Sequence, residues 1–153
     1  MHYRIIVANK TEFNNWQNCY KYLADLLLDE NAVKPGYWES VYEREKQFPT
    51  GLQVTEKFGI AIPHPINPEL CIEPSVAVAI LSKPINVNSM ADPNETISVS
   101  VVIMLALVSA ENHLKMLQKL METFQDEKFI ETLQKIKDPQ ETKEIVKKRL
   151  SLF

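Results

Sequence analysis

The sequence contains little glycine, little cysteine and no surplus of positive charge. Of its 153 residues only 3 are glycine, against 9 proline, whereas 45% are hydrophobic. Collagen-like, low-complexity and disordered chains need other compositions, so these classes are excluded. A chain of this length with ample material for a core predicts one compact domain that spans residues 1–153.

Basic clusters and long apolar segments are also missing. The 17 Lys and Arg residues are outnumbered by 20 Asp and Glu residues, and there is no long basic run to displace counterions from a nucleic acid. The longest apolar run covers residues 101–108, whereas a bilayer-spanning helix needs about 20 residues. Lys10 and Glu12 interrupt the N-terminal segment before a signal-peptide core can develop. We therefore predict a cytoplasmic protein without nucleic-acid partners or direct membrane insertion.

The two cysteines and three histidines do not form a metal-binding pattern. Cys19 and Cys71 lie far apart without a C-x-x-C pair, and no H-E-x-x-H motif or Asp-rich loop occurs. We predict reduced, buried thiols and neither a metal nor another cofactor. His2 is assigned no role because chain termini are usually poorly ordered.

Apolar spacing predicts helices in the first and last thirds of the chain. After a first strand over residues 3–7, a helix capped by Thr11 carries one apolar stripe, formed by Phe13, Trp16, Tyr20, Leu23 and Leu27. A second helix follows Gly36 and ends before Pro49, which places Arg44 near its C-terminus. The last third carries further helical stripes, formed by Leu114, Leu117, Leu120, Met121 and Phe124, by Phe129, Leu133 and Ile136, and by Ile145, Val146 and Leu150.

Segments rich in Val and Ile predict strands in the middle of the chain. They are Ile60–Ile62, Ser75–Leu81 and Ile97–Val108. The last two are almost continuously apolar, a pattern typical of strands that are covered on both faces. Helices should therefore lie on both sides of the sheet. The predicted fold class is α/β, a three-layer sandwich in which a mixed central sheet is flanked by helices on both faces.

His64 has the most informative setting of the three histidines. It directly follows the apolar segment Gly59–Pro63, and ligands usually bind where the strands of α/β sheets end. Pro65 favours extended backbone at His64 and so holds the imidazole at the end of the strand. The residues alone leave two interpretations equally open, a functional imidazole and a structural histidine in a proline-rich turn.

Several blocks of the sequence, taken together, resemble a known family. They are Arg44–Glu45, Pro49–Leu52, Gly59–His64, Ser75–Ala79 and Glu111–Leu114. Over nearly the whole chain the sequence is similar to the fructose/mannitol-type IIA domain of the bacterial phosphoenolpyruvate-dependent sugar phosphotransferase system. The Pro49–Leu52 segment and the interval between Arg44 and His64 look most like the galactitol-specific branch of that family.

The resemblance implies a phosphohistidine carrier. In the family, the histidine at the position of His64 receives a phosphoryl group from the phosphocarrier protein HPr and passes it to a cysteine of a IIB protein, while a separate membrane IIC protein moves the sugar. A neutral imidazole suits this chemistry because it is nucleophilic near neutral pH and its phosphoramidate stays reactive. Pro65 departs from the small or polar residue that commonly follows the family histidine. The alternative within the family is a regulatory, nitrogen-type IIA module that controls partner proteins through its phosphorylation state.

Arg44 and His113 are the other predicted catalytic residues. A guanidinium offers paired donors to phosphoryl oxygens and keeps its charge, although an arginine near a helix end is often ordinary exposed surface. Such a cation should also lower the pKa of His64. His113 follows Ser109 early in a predicted helix and resembles the second active-site histidine of mannitol-type members; the alternative is a histidine on a polar helix face.

Glu45 and Thr50 are predicted to support the phosphate site. Glu45 follows Arg44 and is placed to orient its side chain, unless it is simply helix surface. Thr50 forms a turn with Gly51 and offers hydroxyl or backbone donors, although turn formation by itself explains both residues.

Overall fold

The computed structural model describes residues 3–150, apart from the side chain of Asn112, and His2 lies outside this range. Within it, five strands form one sheet in the order β1-β4-β5-β3-β2. They are β1 (Arg4–Val7), β2 (Gly51–Gln53), β3 (Gly59–Ala61), β4 (Ser75–Asn88) and β5 (Thr96–Ala106). β1 and β4 are parallel, as are β3 and β5, whereas β4 and β5 are antiparallel, as are β2 and β3. The sheet is therefore mixed, as predicted.

Helices cover both faces of this sheet. They are α1 (Trp16–Asp29), α2 (Tyr37–Gln47), α3 (Ala110–Phe124), α4 (Glu127–Lys135) and α5 (Pro139–Leu150). One core joins α1 and α2 to the sheet face that carries Ala77 and Met104. The other joins α3, α4 and α5 to the face that carries Val78 and Ile103. Because successive strand residues point to opposite faces, the continuous apolar runs of β4 and β5 feed both cores. The three-layer α/β sandwich is confirmed.

The first helix begins later than its apolar stripe predicts. Its cap is Asn15 rather than Thr11, since the Asn15 side chain accepts a hydrogen bond from the Asn18 N–H at 2.8 Å. Phe13 precedes the helix, yet its ring is buried in the core next to α1. The stripe therefore identified buried residues correctly but not the first turn. By contrast, α2 has the predicted bounds, starting after Gly36, whose φ of 99° suits glycine.

Two strand features also differ from the prediction. β2 was not predicted, and its three residues pair with β3. β4 continues beyond Leu81 to Asn88, and it resumes pairing with β5 after an irregularity between Ile80 and Ile85. Pro84 lies inside this irregularity, where no ladder hydrogen bond is required of it.

Between residues 3 and 150, no helix is long and apolar enough to cross a membrane. In the same range, no three His, Cys, Asp or Glu side chains lie close enough together to hold a metal ion. Cys19 and Cys71 are unpaired and buried. Burial raises the pKa of the Cys19 thiol to about 12 and that of Cys71 to about 11. Both thiols are therefore protonated near neutral pH.

One edge of the sheet brings the predicted site residues together. Since β3 and β5 are parallel, both end at this edge. The Leu105 N–H donates to the carbonyl of Pro63 at 3.0 Å, which keeps the chain after β3 against the end of β5. α3 begins at Ala110, shortly after β5 ends at Ala106. The strand end that carries His64 and the helix that carries His113 thus meet at one place.

Candidate active site

The two ring nitrogens of His64 have different partners. Nδ1 lies 2.9 Å from the carbonyl oxygen of Ile62, and since a carbonyl can only accept, Nδ1 donates. The Arg44 Nε–H donates to Nε2 at 3.1 Å, so Nε2 presents its lone pair. The ring is therefore neutral, with its proton on Nδ1 and its nucleophilic nitrogen, Nε2, turned toward a cation.

Burial is the main electrostatic influence on His64. Burial, with smaller contributions from the positive charge of Arg44 and from the neighbouring His113, lowers the pKa of the imidazole to about 4. The hydrogen bond to the Ile62 carbonyl acts in the opposite direction. The direction agrees with the sequence prediction, but desolvation contributes more than the cation does. His64 is thus unprotonated near neutral pH.

His113 lies beside His64, on the first turn of α3. The ring centroids are 4.8 Å apart and the rings meet edge to face, with an interplanar angle of 68°. The His113 backbone N–H donates to the carbonyl of Ser109 at 3.0 Å, which starts the helix there. Burial and the charge of Arg44 lower the pKa of His113. A second neutral imidazole, able to donate one hydrogen bond, therefore adjoins His64.

Arg44 lies on the last turn of α2, where its positive charge acts to lower the pKa of the buried Glu45. Among residues 3–150, no ion pair joins its guanidinium to an acidic side chain. The ring of Phe48 lies 5.1 Å from the guanidinium carbon instead. Since an aromatic face attracts a cation without removing its charge, the guanidinium keeps its donors for an anionic ligand.

The three side chains open into one cavity of about 310 Å³. Its walls are largely apolar, and the α3 N-terminus contributes to them. The lining residues are Arg44, His64, Pro65, Ile66, Pro68, Leu105, Leu107, Ser109, Ala110 and His113. An opening with a guanidinium that is in no described ion pair, two neutral imidazoles and the positive end of a helix dipole suits a small anion.

Glu45 and Thr50 lie beneath this cavity and do not line it. Their exposed fractions are 4% and 1%. Thr50 donates to the Glu45 carboxylate twice, from its N–H at 2.9 Å and from its hydroxyl at 2.7 Å. Burial raises the pKa of Glu45, against the effect of these hydrogen bonds. The Thr50 carbonyl in turn accepts from the N–H of Ile62 at 3.4 Å, so the pair is linked to the residue that orients His64.

Ser40 contacts the site although it was not among the predicted site residues. It lies one turn before Arg44 on α2, and its hydroxyl oxygen accepts from the backbone N–H groups of Ile66 and Asn67 at 2.9 and 3.2 Å. The spacing of four residues between Ser40 and Arg44 places both on one helix face. That spacing was a usable signal, but it acquires meaning only once the partner loop is known.

Exposed apolar side chains lie next to several site residues. Leu114 was predicted to belong to the buried stripe of α3, but it is 59% exposed, and Met116 is buried in the core instead. The structure describes seven large apolar side chains that are exposed, and four of them adjoin site residues: Phe48, Ile66, Val108 and Leu114. We refer to these four as the apolar rim.

Comparison with known proteins gives a consistent family assignment. The family model described as phosphoenolpyruvate-dependent sugar phosphotransferase system, EIIA 2, matches residues 3–149. The ascorbate-specific PTS system EIIA component of Escherichia coli K12 is 25% identical over 138 residues, which cover 90% of this chain and 86% of that protein.

Solved structures share the fold. The crystal structure of IIA mannitol from Escherichia coli has a TM-score of 0.72 at 21% identity, covering 96% of this chain and 95% of the other. The Escherichia coli complex of enzyme IIA-Mtl with phosphorylated enzyme IIB-Mtl matches with a TM-score of 0.72 at 20% identity, over 97% and 94% of the two chains. In that complex the partner of the similar chain is a IIB protein.

Proposed function

Because the chain belongs to the EIIA 2 family of the phosphoenolpyruvate-dependent sugar phosphotransferase system, we propose that it is a cytoplasmic phosphocarrier with a phosphohistidine intermediate. It accepts a phosphoryl group from phospho-HPr on His64 and passes it to a cysteine of a IIB protein, and a membrane IIC permease takes up the sugar. The observation that carries this proposal is the contact of 3.1 Å between Arg44 Nε and the nucleophilic nitrogen of His64.

The transfer is a displacement at phosphorus. Nε2 attacks the phosphorus atom of the donor, the bond between phosphorus and the donor atom breaks in line with it, and an Nε2–P bond forms. Nδ1 keeps its proton on the Ile62 carbonyl, which stabilises the positive charge that the ring acquires. In the second transfer a IIB thiolate attacks phosphorus, the Nε2–P bond breaks, and the ring becomes neutral again. No proton has to leave His64 in either direction.

Arg44 and His113 stabilise the phosphoryl oxygens in this scheme. Once Nε2 is bonded to phosphorus it has no lone pair, so the Arg44 donors are released to the oxygens beside it. His113, 4.8 Å away between ring centroids, supplies a further N–H. Glu45 and Thr50 support the site indirectly. Glu45 holds Thr50, and the Thr50 carbonyl accepts a hydrogen bond from Ile62, whose own carbonyl orients His64.

The apolar rim supports docking of protein partners at the cavity. Phosphoryl transfer between two proteins brings donor and acceptor atoms together and excludes water from the reacting group. Exposed apolar side chains gain free energy when a partner covers them. Since the same cavity must face phospho-HPr and the IIB protein in turn, one surface serves both partners.

For the carbohydrate we propose a galactitol-type system, on the resemblance of Pro49–Leu52 and of the interval from Arg44 to His64. The relatives named above are of ascorbate and mannitol type instead. A IIA protein handles only the phosphoryl group, so its own cavity does not select the sugar. Transfer from the labelled protein to purified galactitol, mannitol and ascorbate IIB proteins compares the three directly, and preferential transfer to the mannitol or ascorbate IIB would contradict the proposal.

The test of the whole proposal is labelling by radioactive phospho-HPr. We expect stoichiometric, acid-labile and base-stable label on the wild type and none on His64→Ala, whereas His113→Ala, a matched loss of an imidazole from the same cavity, still accepts label. Stoichiometric label on His64→Ala would remove His64 from the mechanism. A labelled wild type that transfers to no IIB protein but binds another protein in one phosphorylation state only would favour the regulatory alternative.

A further inference from the structure

Ser40 is the point at which α2 holds the loop that follows His64. Its hydroxyl oxygen accepts two backbone hydrogen bonds, from Ile66 at 2.9 Å and from Asn67 at 3.2 Å. The side chain is largely buried, with 9% of its surface exposed. A serine inside a helix is a weaker helix former than alanine, so its presence here needs a reason outside the helix. The two loop N–H groups supply that reason.

The prolines around His64 leave few other places to attach this loop. Pro65 has no N–H, so the first backbone donor after the histidine belongs to Ile66. That donor is one of the two that Ser40 accepts. The loop is therefore anchored as close to His64 on this side as the chain permits.

We propose that Ser40 is a positioning residue for phosphoryl transfer, holding the loop after His64 on the helix that carries Arg44. The inference rests on the function proposed above. The contacts before and after phosphorylation show what this role would achieve. In the unphosphorylated protein two links join α2 to the His64 segment, Arg44 to Nε2 and Ser40 to the loop. Phosphorylation removes the Nε2 lone pair and with it the first link, whereas the Ser40 link does not involve the reacting nitrogen.

Ser40 therefore keeps the distance between nucleophile and cation constant in both states. A rigidly held loop lets the Arg44 donors meet the phosphoryl oxygens without a rearrangement of the backbone, and misplacement of reacting groups by about 1 Å costs roughly a hundredfold in rate. Ser40 does not itself line the cavity, and it reaches the lining through the backbone N–H of Ile66. Its effect on transfer has to pass through the position of His64.

The experiment compares Ser40→Ala with Ser89→Ala. Ser89 is a matched control because it is also buried and its hydroxyl also accepts two backbone N–H groups, from Ala91 and Asp92 at 3.1 and 3.4 Å, but in the connection between β4 and β5. Single-turnover labelling by phospho-HPr, thermal unfolding and the His64 pKa by NMR are measured for each. We expect Ser40→Ala to slow labelling at saturating donor about tenfold, with an unchanged KM, and to raise the His64 pKa toward its ordinary value.

Ser89→Ala should lower the unfolding temperature while leaving the labelling rate and the His64 pKa unchanged. A wild-type rate in Ser40→Ala, or an equal slowing in both variants, would overturn the positioning role. In the wild-type protein, amide exchange of Ile66 and Asn67 gives a test that needs no variant: both amides should stay protected before and after labelling, and free exchange would also overturn it. If the wild type takes no label at all, the proposed function fails and Ser40 has no role in transfer, whereas amide protection and the His64 pKa still decide whether Ser40 positions His64.

Discussion

A single imidazole held neutral by burial is suited to the nucleophilic role proposed for it near neutral pH. His64 is enclosed by the chain on one side and by Arg44 on the other, and both disfavour its protonation. The Ile62 carbonyl meanwhile settles which nitrogen carries the proton. Desolvation and one hydrogen bond together therefore favour the neutral imidazole that the proposed transfer needs, and Arg44, in no ion pair among residues 3–150, is placed to meet the phosphoryl group.

The pKa of His64 gives a direct check at this scale. We expect an NMR titration of the imidazole to place it well below 6.5, near 4. Between pH 6.5 and pH 4, His64 binds a proton in the unfolded chain but not in the folded chain. The contribution of His64 to the free energy of unfolding is therefore complete above about pH 6.5 and is lost as the pH falls toward 4. The loss is at most about 3 kcal/mol. A titration midpoint above 6.5 would contradict the arrangement, and His64→Gln should remove this part of the pH dependence.

Replacing Arg44 tests whether its free charge serves the transfer. Arg44→Ala should slow labelling by phospho-HPr at least tenfold, about 1.4 kcal/mol, without unfolding the protein. Lys46→Ala is the matched control, because Lys46 is an exposed cation on the same helix end that is already paired with Glu43 at 2.9 Å. Arg44→Lys should restore the rate only in part, since an ammonium lacks the paired donors. An unchanged rate in Arg44→Ala would make Arg44 ordinary surface.

At the scale of elements, α2 and β3 hold the site from two sides. On α2, Arg44 lines the cavity and Ser40 holds the loop that follows His64. Glu45, on the same helix, binds Thr50 just before β2 begins. β3 is short, and its position depends on pairing with β5 and β2. The nucleophile is thus placed by a helix and a strand that belong to different layers.

Replacing Gly59 tests how closely β3 lies beside β5 in the sheet. A Cβ at this position would lie 2.5 Å from the carbonyl oxygen of Ser98 and 2.6 Å from a methyl group of Ile97. Gly59→Ala should therefore force the strands apart, lowering the free energy of unfolding by about 1–3 kcal/mol, and change the His64 ring signals in NMR. Gly36→Ala, which has room for a Cβ but an unfavourable φ, should destabilise the fold without changing those signals. Unchanged stability in Gly59→Ala would contradict this packing.

At the scale of the whole molecule, the exposed apolar side chains are not spread evenly over the surface. The apolar rim gathers four exposed side chains at the sheet edge where His64 lies. On an exposed surface such side chains cost solvation free energy that a docked partner recovers. In the proposed function, the cavity that holds His64 carries out the transfer and the apolar rim binds the partner protein.

The rim can be tested separately from the chemistry. Leu114→Ser should raise the KM for phospho-HPr by about tenfold while the rate at saturating donor changes little, because burial of a leucine side chain at an interface contributes about 1.5 kcal/mol or more. Met90→Ser is the matched control, since Met90 is also exposed but lies in the connection between β4 and β5. Equal KM values for the wild type and Leu114→Ser would show that the partner docks elsewhere.

Much of this architecture follows from local patterns. The apolar runs of β4 and β5 predicted strands covered on both faces, and burial in two cores agrees. Gly36 and Pro49 bounded α2 correctly because each acts on the backbone of its own segment. The flanking prolines and the apolar strand before it made His64 a candidate because they are its neighbours in the chain, and the family resemblance then predicted it to be the nucleophile.

Local patterns in the sequence thus determined the fold class and the main elements, since propensities and periodicity act over a few residues, and the family resemblance predicted the nucleophile. Only the tertiary structure decided that Glu45 and Thr50 pair with each other beneath the cavity, that Leu114 faces outward and that Ser40 holds the His64 loop. β2 likewise forms because β3 is there to pair with it. Each of these depends on which distant segment supplies the hydrogen-bond donor, the strand partner or the covering side chain, and no local pattern encodes that choice.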